Sequence, residues 1–460
     1  MAETLLIASY SIITASLLYF FLRTSLVSLW SIKKQALWWF FFGFIFNFYS
    51  FSWLYTTYPI EWLRPGFVQL FGIFIIHFLL ALLSGICFLV VGCSFYRKIS
   101  ASYKPLIFSL SLVVAEIFRS LVISLLCYGA GTTVDLHFTA GTLGNALAPT
   151  PFIEYSYFGG TFALTFILGY VLYIVTSKKN SIRYWKHGAG ICITLILIHY
   201  GVPTYGPHEM TTVGVITTNF ITTGDEEVNL SFAKKNKQVH TMTLSLASSH
   251  PDIIVYPEDT RYLGYLNKKD AEVLSLTFGN TLFIDGDTRT FNGKSVNISL
   301  FYVPGNQKVE GRGKNFLLPF SEYIPYLFIS IFKFFIPQDD LDSYLKNHTY
   351  TPVNSHKTIV FNGLRVGTLL CSEILSYRTI QDVRKGEPTL VFFQSRLNVF
   401  HDNVWFRAHL YSFTKVAAAE LRRPLISSTN GAPSYIISPY GKVLMKIPTG
   451  FNTSTYTFHN

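Results

Sequence analysis

Charge is what this sequence has least of. Asp, Glu, Lys and Arg make up 14% of its 460 residues while 50% are hydrophobic, against a charged share of ~25% in an ordinary soluble protein. A wholly soluble chain is excluded on that ground. The shortage is local: residues 1–200 hold 12 Lys and Arg and 5 Asp and Glu, whereas residues 201–460 hold 25 and 21. Cysteine is scarce too. Four of the five (Cys87, Cys93, Cys127 and Cys192) lie in apolar segments, leaving Cys371 in the polar part with no partner there for a disulfide. Of the net charge of +11, seven units come from the first 200 residues and the rest form no basic run, which argues against a nucleic-acid partner. A phosphate-binding glycine loop, a dinucleotide fingerprint and metal-ligand spacing are missing as well, as are internal repeats and low-complexity linkers.

What is present begins with apolar runs. Crossing a hydrocarbon core of ~30 Å as helix takes ~20 residues, and runs near 4–22, 36–56, 67–95, 105–128 and 155–176 qualify, with a shorter sixth at 189–201. The first run lacks the basic start and small-residue cleavage site of a signal peptide. Loops 23–35, 96–104 and 177–188 are basic (Arg23, Lys33, Lys34; Arg97, Lys98, Lys104; Lys178, Lys179, Arg183, Lys186), whereas 57–66 balances Arg64 with Glu61 and 129–154 has no Lys or Arg. Positive loops stay on the cytoplasmic side. Six spans then put the amino terminus and the polar part on the outer face. Within the fourth run, Glu116 and Arg119 share a helix face, either as a functional pair or as a neutralised pair that fixes packing.

Gly and Pro at 201–210 mark the boundary between a helical membrane domain, residues 1–205, and a globular domain, residues 206–460. The second part carries short β-rich runs, from "TTVGVITTNF" and "DIIVYPED" to "PTLVFFQS" and "PSYIISP", with helical segments at 267–277 and 404–421. Mixed strands and helices, several strands being continuously apolar, predict a sheet covered by helices.

Three places carry chemistry. Pro257 breaks a buried-strand pattern and sets Glu258 just past its end, Cys371 ends the apolar run "RVGTLL", and Lys314 opens a loop containing Glu322. Residues at the carboxyl ends of strands gather on one rim of an α/β fold. A thiol nucleophile needs a base, which a carboxylate in a dry pocket supplies. A lysine and backbone N–H groups stabilise the oxyanion that forms. Taken singly, each residue has a plainer reading: a solvated turn glutamate, a loop lysine, an inert buried thiol.

Together, "YPED", "KNFLLPFSEYIP", "LLCSEI" and "ELRRPLISSTNGAPSYIISPYGKV" resemble the nitrilase superfamily. "KNFLLPFSEYIP", with the apolar stretches "WFFFGFIFNFYSFSWLY" and "VVAEIFRS", resembles more narrowly the bacterial apolipoprotein N-acyltransferase family. The likeness runs over roughly residues 35–448. It implies a multi-span helical membrane domain followed by an α/β nitrilase-like domain, an αββα sandwich, in the bacterial inner membrane with the second domain on the periplasmic side. It implies Glu258 as general base, Lys314 as oxyanion stabiliser and Cys371 as nucleophile, with Glu322 orienting lysine and thiol and Glu373 at a further family position. The reaction implied moves an acyl chain from a phospholipid onto Cys371, then onto the amine of a diacylglyceryl-cysteine apolipoprotein, by a monomer without metal or organic cofactor. The apolar stretch 323–336 suggests an arm that enters lipid, or else a buried helix.

Three departures accompany the likeness. Ser372 stands where the family commonly has an aromatic residue, and "QSRLNVFHDNVWF" replaces a stretch of the type S-N-D-x-W-F. Of the family's eight spans, the first and last have no counterpart among these runs, a pair of losses that leaves the orientation unchanged. Other readings therefore remain open: a membrane-tethered hydrolase with the same Glu–Lys–Cys set and water as acceptor, or a non-catalytic lipid- or lipoprotein-binding homologue. A cysteine protease built on Cys371, His401 and Asn403 or Asn430 lacks a recognisable sequence context.

Overall fold

The computed structural model describes residues 2–28, 30–58, 66–96, 98–100, 102–129, 131–177, 181–207, 209–220, 228–291, 294–304, 308–334, 337–348, 350–353, 358–400 and 403–459. The chain forms two compact units, one of residues 1–128, 133–203 and 403–422, the other of residues 129–132, 204–402 and 423–460.

The first unit starts with six helices: α1 (Ala2–Val27), α2 (Ile32–Ser50), α3 (Phe67–Phe88), α4 (Lys104–Leu126), α5 (Ser156–Thr176) and α6 (Ser181–Gly201). Among the described residues, five spans are long and apolar enough to cross a membrane: Leu5–Val27, Ile32–Thr57, Gln69–Phe95, Lys104–Leu126 and Pro151–Thr176. The sixth expected run is helical, but its apolar stretch, Gly188–Gly201, is shorter than these. Lipid supplies no hydrophobic drive between helices, so close packing must hold them. The aromatic run of α2 supplies it: Trp39, Phe42 and Phe46 are buried with Phe88, Phe108 and Leu112. Gly92 lets the end of the third span touch α2, since a Cβ there would lie 2.4 Å from the backbone nitrogen of Ala36.

The buried charges of α4 are bound to their surroundings. Glu116 accepts from the Leu143 N–H at 2.6 Å and from Thr165 Oγ1 at 2.6 Å. Arg119 donates to Asn47 Oδ1 and to the Ala140 carbonyl, both at 3.0 Å. The pair thus ties α2 and α5 to the loop over residues 139–143, which gives it a packing role.

The second unit contains β1 (Thr211–Thr217), α7 (Val228–Ser245), β2 (Ile253–Val255), α8 (Lys268–Phe278), β3 (Leu282–Phe291), β4 (Lys294–Val303), β5 (Lys308–Gly313), α9 (Tyr326–Phe332), α10 (Gln338–His348), β6 (Ile359–Phe361), β7 (Leu364–Leu370), α11 (Tyr377–Lys385) and β8 (Leu390–Arg396). After helix α12 (Val404–Leu421) it resumes with β9 (Leu425–Asn430), β10 (Ser434–Ile437), β11 (Val443–Ile447) and β12 (Asn452–Phe458). Two six-stranded sheets result, ordered β12-β1-β2-β3-β4-β5 and β11-β10-β9-β8-β7-β6. Strands β1, β2 and β3 run parallel, as do β7, β8 and β9, and the flanking pairs are antiparallel. One apolar core joins the sheets face to face, with Val213, Val255 and Ile284 meeting Val366, Phe392 and Ile426; each such side chain contributes ~1.5–3 kcal/mol on burial. Outside the first sheet, Ile254 and Phe283 pack with Val239 of α7 and Leu274 of α8. Ile380 and Val383 of α11 are buried on the other side. This is the expected αββα sandwich. The expected segment 267–277 is α8, and the β-rich runs became strands, while β5, β11 and β12 had no counterpart among them.

Helix α12, expected at 404–421, belongs to the first unit. Its Val416 and Ala419 pack among Ile153, Leu164 and Ile198. Its C-terminal neighbour Arg422 is fully buried and reaches Glu154 Oε2 and the Ile198 carbonyl, both at 3.0 Å.

Candidate active site

The parallel strands of both sheets end on the residues singled out from the sequence. Glu258 follows β2 by way of Tyr256 and Pro257, Cys371 follows β7 directly, and Lys314 follows β5. The structure brings all three together with Glu322. The Lys314 ammonium lies 3.1 Å from Glu258 Oε1 and 2.9 Å from Glu322 Oε1, and the Cys371 thiol lies within the electrostatic reach of all three. Lys314 is 1% exposed, Glu258 8% and Glu322 7%, whereas Cys371 is only partly buried.

Backbone geometry fixes the nucleophile's direction. Cys371 has φ of +42°, a left-handed conformation that costs a non-glycine residue ~1–3 kcal/mol and persists only where surroundings enforce it. The enforcement is local. Glu373 Oε2 accepts from the Leu370 N–H at 2.8 Å and Oε1 from the Asn315 N–H at 2.7 Å. Arg312 Nη1 donates to Glu373 Oε2 at 3.0 Å and also bonds the Thr368 carbonyl. Ser372 Oγ donates to the Phe316 carbonyl at 2.6 Å. The sharp turn is therefore pinned to residues 312–316, the segment that carries Lys314. Glu373, fully buried, serves the backbone of the turn, and Ser372 ties it to Phe316.

Each carboxylate is likewise held. Glu258 Oε2 accepts from the Arg396 N–H at 3.2 Å. Glu322 takes Asn297 Nδ2 at 2.5 Å on Oε1 and the Leu318 N–H at 2.6 Å on Oε2. Gly286 of β3 makes room for the Glu258 backbone: a Cβ there would fall 2.5 Å from Glu258 Cα. Beneath them, fully buried Gln394 links the sheets, donating to the Tyr256 carbonyl and accepting from Ser299 Oγ, each at 2.7 Å.

Electrostatics follow from a dry site with two carboxylates and one ammonium. Burial raises the Glu258 pKa, and Glu322 adds to the rise while Lys314 opposes it. Burial, joined by the negative charge of Glu258, pushes the Cys371 thiol above its ordinary value. Burial opposes the charged form of Lys314, yet Glu258 and Glu322 together hold its pKa well above the usual lysine value. The resting site is thus a neutral thiol beside a carboxylate and a firmly protonated lysine, an arrangement able to deprotonate the thiol only as it reacts.

Arg312, Asn297, Gln394 and Arg396 were missed by sequence reasoning. Arg312 alone left a trace, since alternation along β5 places it on the same face as Lys314. The protease reading gains no support: Asn403 caps α12 by accepting from the Phe406 N–H at 2.9 Å, and Asn430 is bonded to Thr218 and Phe220. His401 lies outside the described residues.

An apolar helical unit is thus followed by an αββα unit in which a thiol, a lysine and two glutamates meet. In sequence the chain is similar to apolipoprotein N-acyltransferases. It is 26% identical over 322 residues to the one from Aquifex aeolicus, covering 67% of this chain and 68% of that one. To that of Vibrio parahaemolyticus it is 22% identical over 333 residues, covering 66% and 61%. The chain spans only 40% of the Pseudomonas aeruginosa relative, at 25% identity over 224 residues. Among solved structures, a CN-hydrolase superfamily protein from Xanthomonas campestris aligns over 55% of this chain and 91% of its own, at 12% identity and a TM-score of 0.39. No family model matches the chain.

Proposed function

We propose that this protein is an N-acyltransferase that moves a fatty acyl chain from a membrane phospholipid to the amino terminus of a diacylglyceryl apolipoprotein. The observation that carries this reading is the Lys314 ammonium bridging Glu258 and Glu322, with the Cys371 thiol in the field of all three. In the first step Glu258 takes the thiol proton as Cys371 Sγ attacks the ester carbonyl of the donor. The oxyanion collects beside Lys314. Its collapse breaks the ester C–O bond, Glu258 returns the proton to the departing alkoxide, and a lysophospholipid leaves a thioester on Cys371. In the second step the acceptor amine attacks the thioester, Glu258 removes the amine proton, and the amide forms as the thiol is restored. Glu322 orients Lys314, and Glu373 with Arg312 holds the turn.

Both substrates are lipids, and the apolar surface supports this. Tyr326 and Leu327 of α9 are 52% and 51% exposed and Phe334 is 85% exposed, while Phe328 packs on Phe320 with ring centroids 4.8 Å apart. A helix anchored on one side and apolar on the other is suited to enter a bilayer beside the site. The setting that follows is the bacterial inner membrane, with the second unit on the periplasmic side and a monomer as the working form.

The test is intact mass of the detergent-purified protein after incubation with phospholipid. A hydroxylamine-sensitive gain of one acyl chain, absent from Cys371→Ala, is expected, and a diacylglyceryl-cysteine peptide should discharge it as an amide. Discharge to water alone would make the protein a hydrolase. No adduct with any phospholipid would leave the binding homologue.

A further inference from the structure

A basic cluster borders the site beside Glu258 and takes no part in the chemistry above. Arg396, whose N–H bonds Glu258, sends its guanidinium to Asp259 Oδ2 at 2.6 Å. Arg261 pairs with the other oxygen of the same carboxylate and donates to Thr288 Oγ1 at 3.3 Å. Asp259 and Arg261 both have positive φ, +61° and +53°, so the turn after Glu258 is bent to present this pair. Lys235 of α7 lies over the Phe220 ring, 5.5 Å from its centroid. Burial lowers its pKa, and the charges of Arg396 and Arg261 act in the same direction against the partial relief from Asp259. Three cations thus share the field of one carboxylate. Both guanidiniums remain partly accessible, with side chains 25% exposed for Arg261 and 30% for Arg396. Arg396 also falls within "QSRLNVFHDNVWF", where the resemblance to the acyltransferase family is altered.

We propose that Arg261 and Arg396, gathered on Asp259 and flanked by Lys235, bind the phosphate of the acyl donor. This rests on the acyl-transfer reading and deepens it. In a glycerophospholipid only the glycerol backbone separates the ester carbonyl from the phosphate. A donor whose carbonyl meets Cys371 therefore needs a cationic partner for its phosphate close to the catalytic glutamate. Guanidinium forks match phosphate oxygens in geometry as well as charge. The donor is then chosen for its phosphate group, and the headgroup alcohol beyond it is read weakly or not at all.

The test measures binding to the full-length Cys371→Ala protein in detergent, where no chemistry intervenes. Dioctanoyl phosphatidic acid, dioctanoyl phosphatidylglycerol and dioctanoylglycerol are titrated in turn. The two phosphate-bearing lipids should bind about tenfold or more tightly than dioctanoylglycerol, and similarly to each other. Arg396→Gln and Arg261→Gln, made separately, should close the gap between the lipids, and Arg396→Lys should restore part of it. Equal binding of all three lipids, or a gap that survives both Gln variants, overturns the proposal. Inorganic phosphate binding as tightly as the lipids would make this a free-anion site and overturn it too. If the phosphate preference holds but wild-type Cys371 never carries an acyl chain, the acyl-transfer reading falls and the phosphate site stands.

Discussion

At the scale of single residues, the protonation states set how the rate should depend on pH. Glu258 acts as base only when unprotonated, and burial has raised its pKa above the ordinary glutamate value of ~4.3. Cys371 stays a thiol and Lys314 stays charged, because both pKa values are raised. The rate of thioester formation should therefore climb on a single limb as pH rises through the Glu258 pKa, then level off without a fall near neutrality. A bell with its maximum in the acid range would remove Glu258 as the base. Glu258→Gln should lower the rate by ~10²–10⁴ and abolish the limb. Glu373 is expected to behave differently. It and Arg312 are 0% and 2% exposed at their side chains, and removing one partner of such a pair costs ~3–5 kcal/mol. Glu373→Ala should thus lose stability in thermal unfolding along with activity; loss of activity at unchanged stability would assign Glu373 a chemical role instead. The four residues Glu258, Lys314, Glu322 and Cys371 were legible in the sequence because each interrupts an apolar run or sits in a distinctive loop. Gln394 and Arg396 carry no local mark, since their roles arise only when two sheets distant in sequence meet, and that of Asn297 arises only when β4 meets the segment after β5.

Elements place these residues, and the sharpest constraint is at β3. A methyl group at Gly286 would press on backbone atoms of Pro257, Glu258 and Asp259, all within 2.8 Å of its Cβ, so it must displace the base. A misplacement of ~1 Å costs up to ~10²-fold in rate. Gly286→Ala is accordingly expected to cut thioester formation by about that factor, whereas Gly311→Ala should leave it nearly intact. At Gly311 the nearest atoms of Ile298 and Leu300 stand 3.8 Å away, an ordinary contact. Equal rates for the two variants would show that β3 does not position Glu258. The strands that could be read in advance are the apolar ones at the centre of the sheets. β5, β11 and β12 went unread for a physical reason: they lie at the sheet edges, and an edge strand such as "NTSTYTF" is half-buried along most of its length. It signals itself by Thr and Tyr propensity alone. Helix α12 was legible as a helix, but nothing in its pattern told which unit would receive it.

At the scale of the whole molecule, the loop charges and the helices make a statement about sidedness. The basic loops at 23–35 and 96–104 are expected on the cytoplasmic face. Residue 205, beyond α6, is expected on the outer face if α6 crosses despite its short apolar stretch. Cysteines placed at Ser100 and Tyr205, with Cys93, Cys192 and Cys371 changed to serine, test this with a membrane-impermeant thiol reagent on whole cells. Labelling at Tyr205 and not at Ser100 is the expected result. Labelling at neither would leave α6 on the cytoplasmic side and withdraw the periplasmic placement.

The order in which the units are completed is written into their connectivity. α12 takes its place among helices that precede it by more than 200 residues, and β12 pairs with β1 from Thr211↔Phe458 to Thr217↔Asn452. During synthesis the helical unit must therefore wait, unfinished, until all of β1 to β8 has emerged, and the first sheet must wait until the ribosome has passed Phe458. Non-local pairings of this kind are the slow ones in folding. Each unit is thus completed by a segment made long after its first element, and neither can close in the order in which its residues are synthesised.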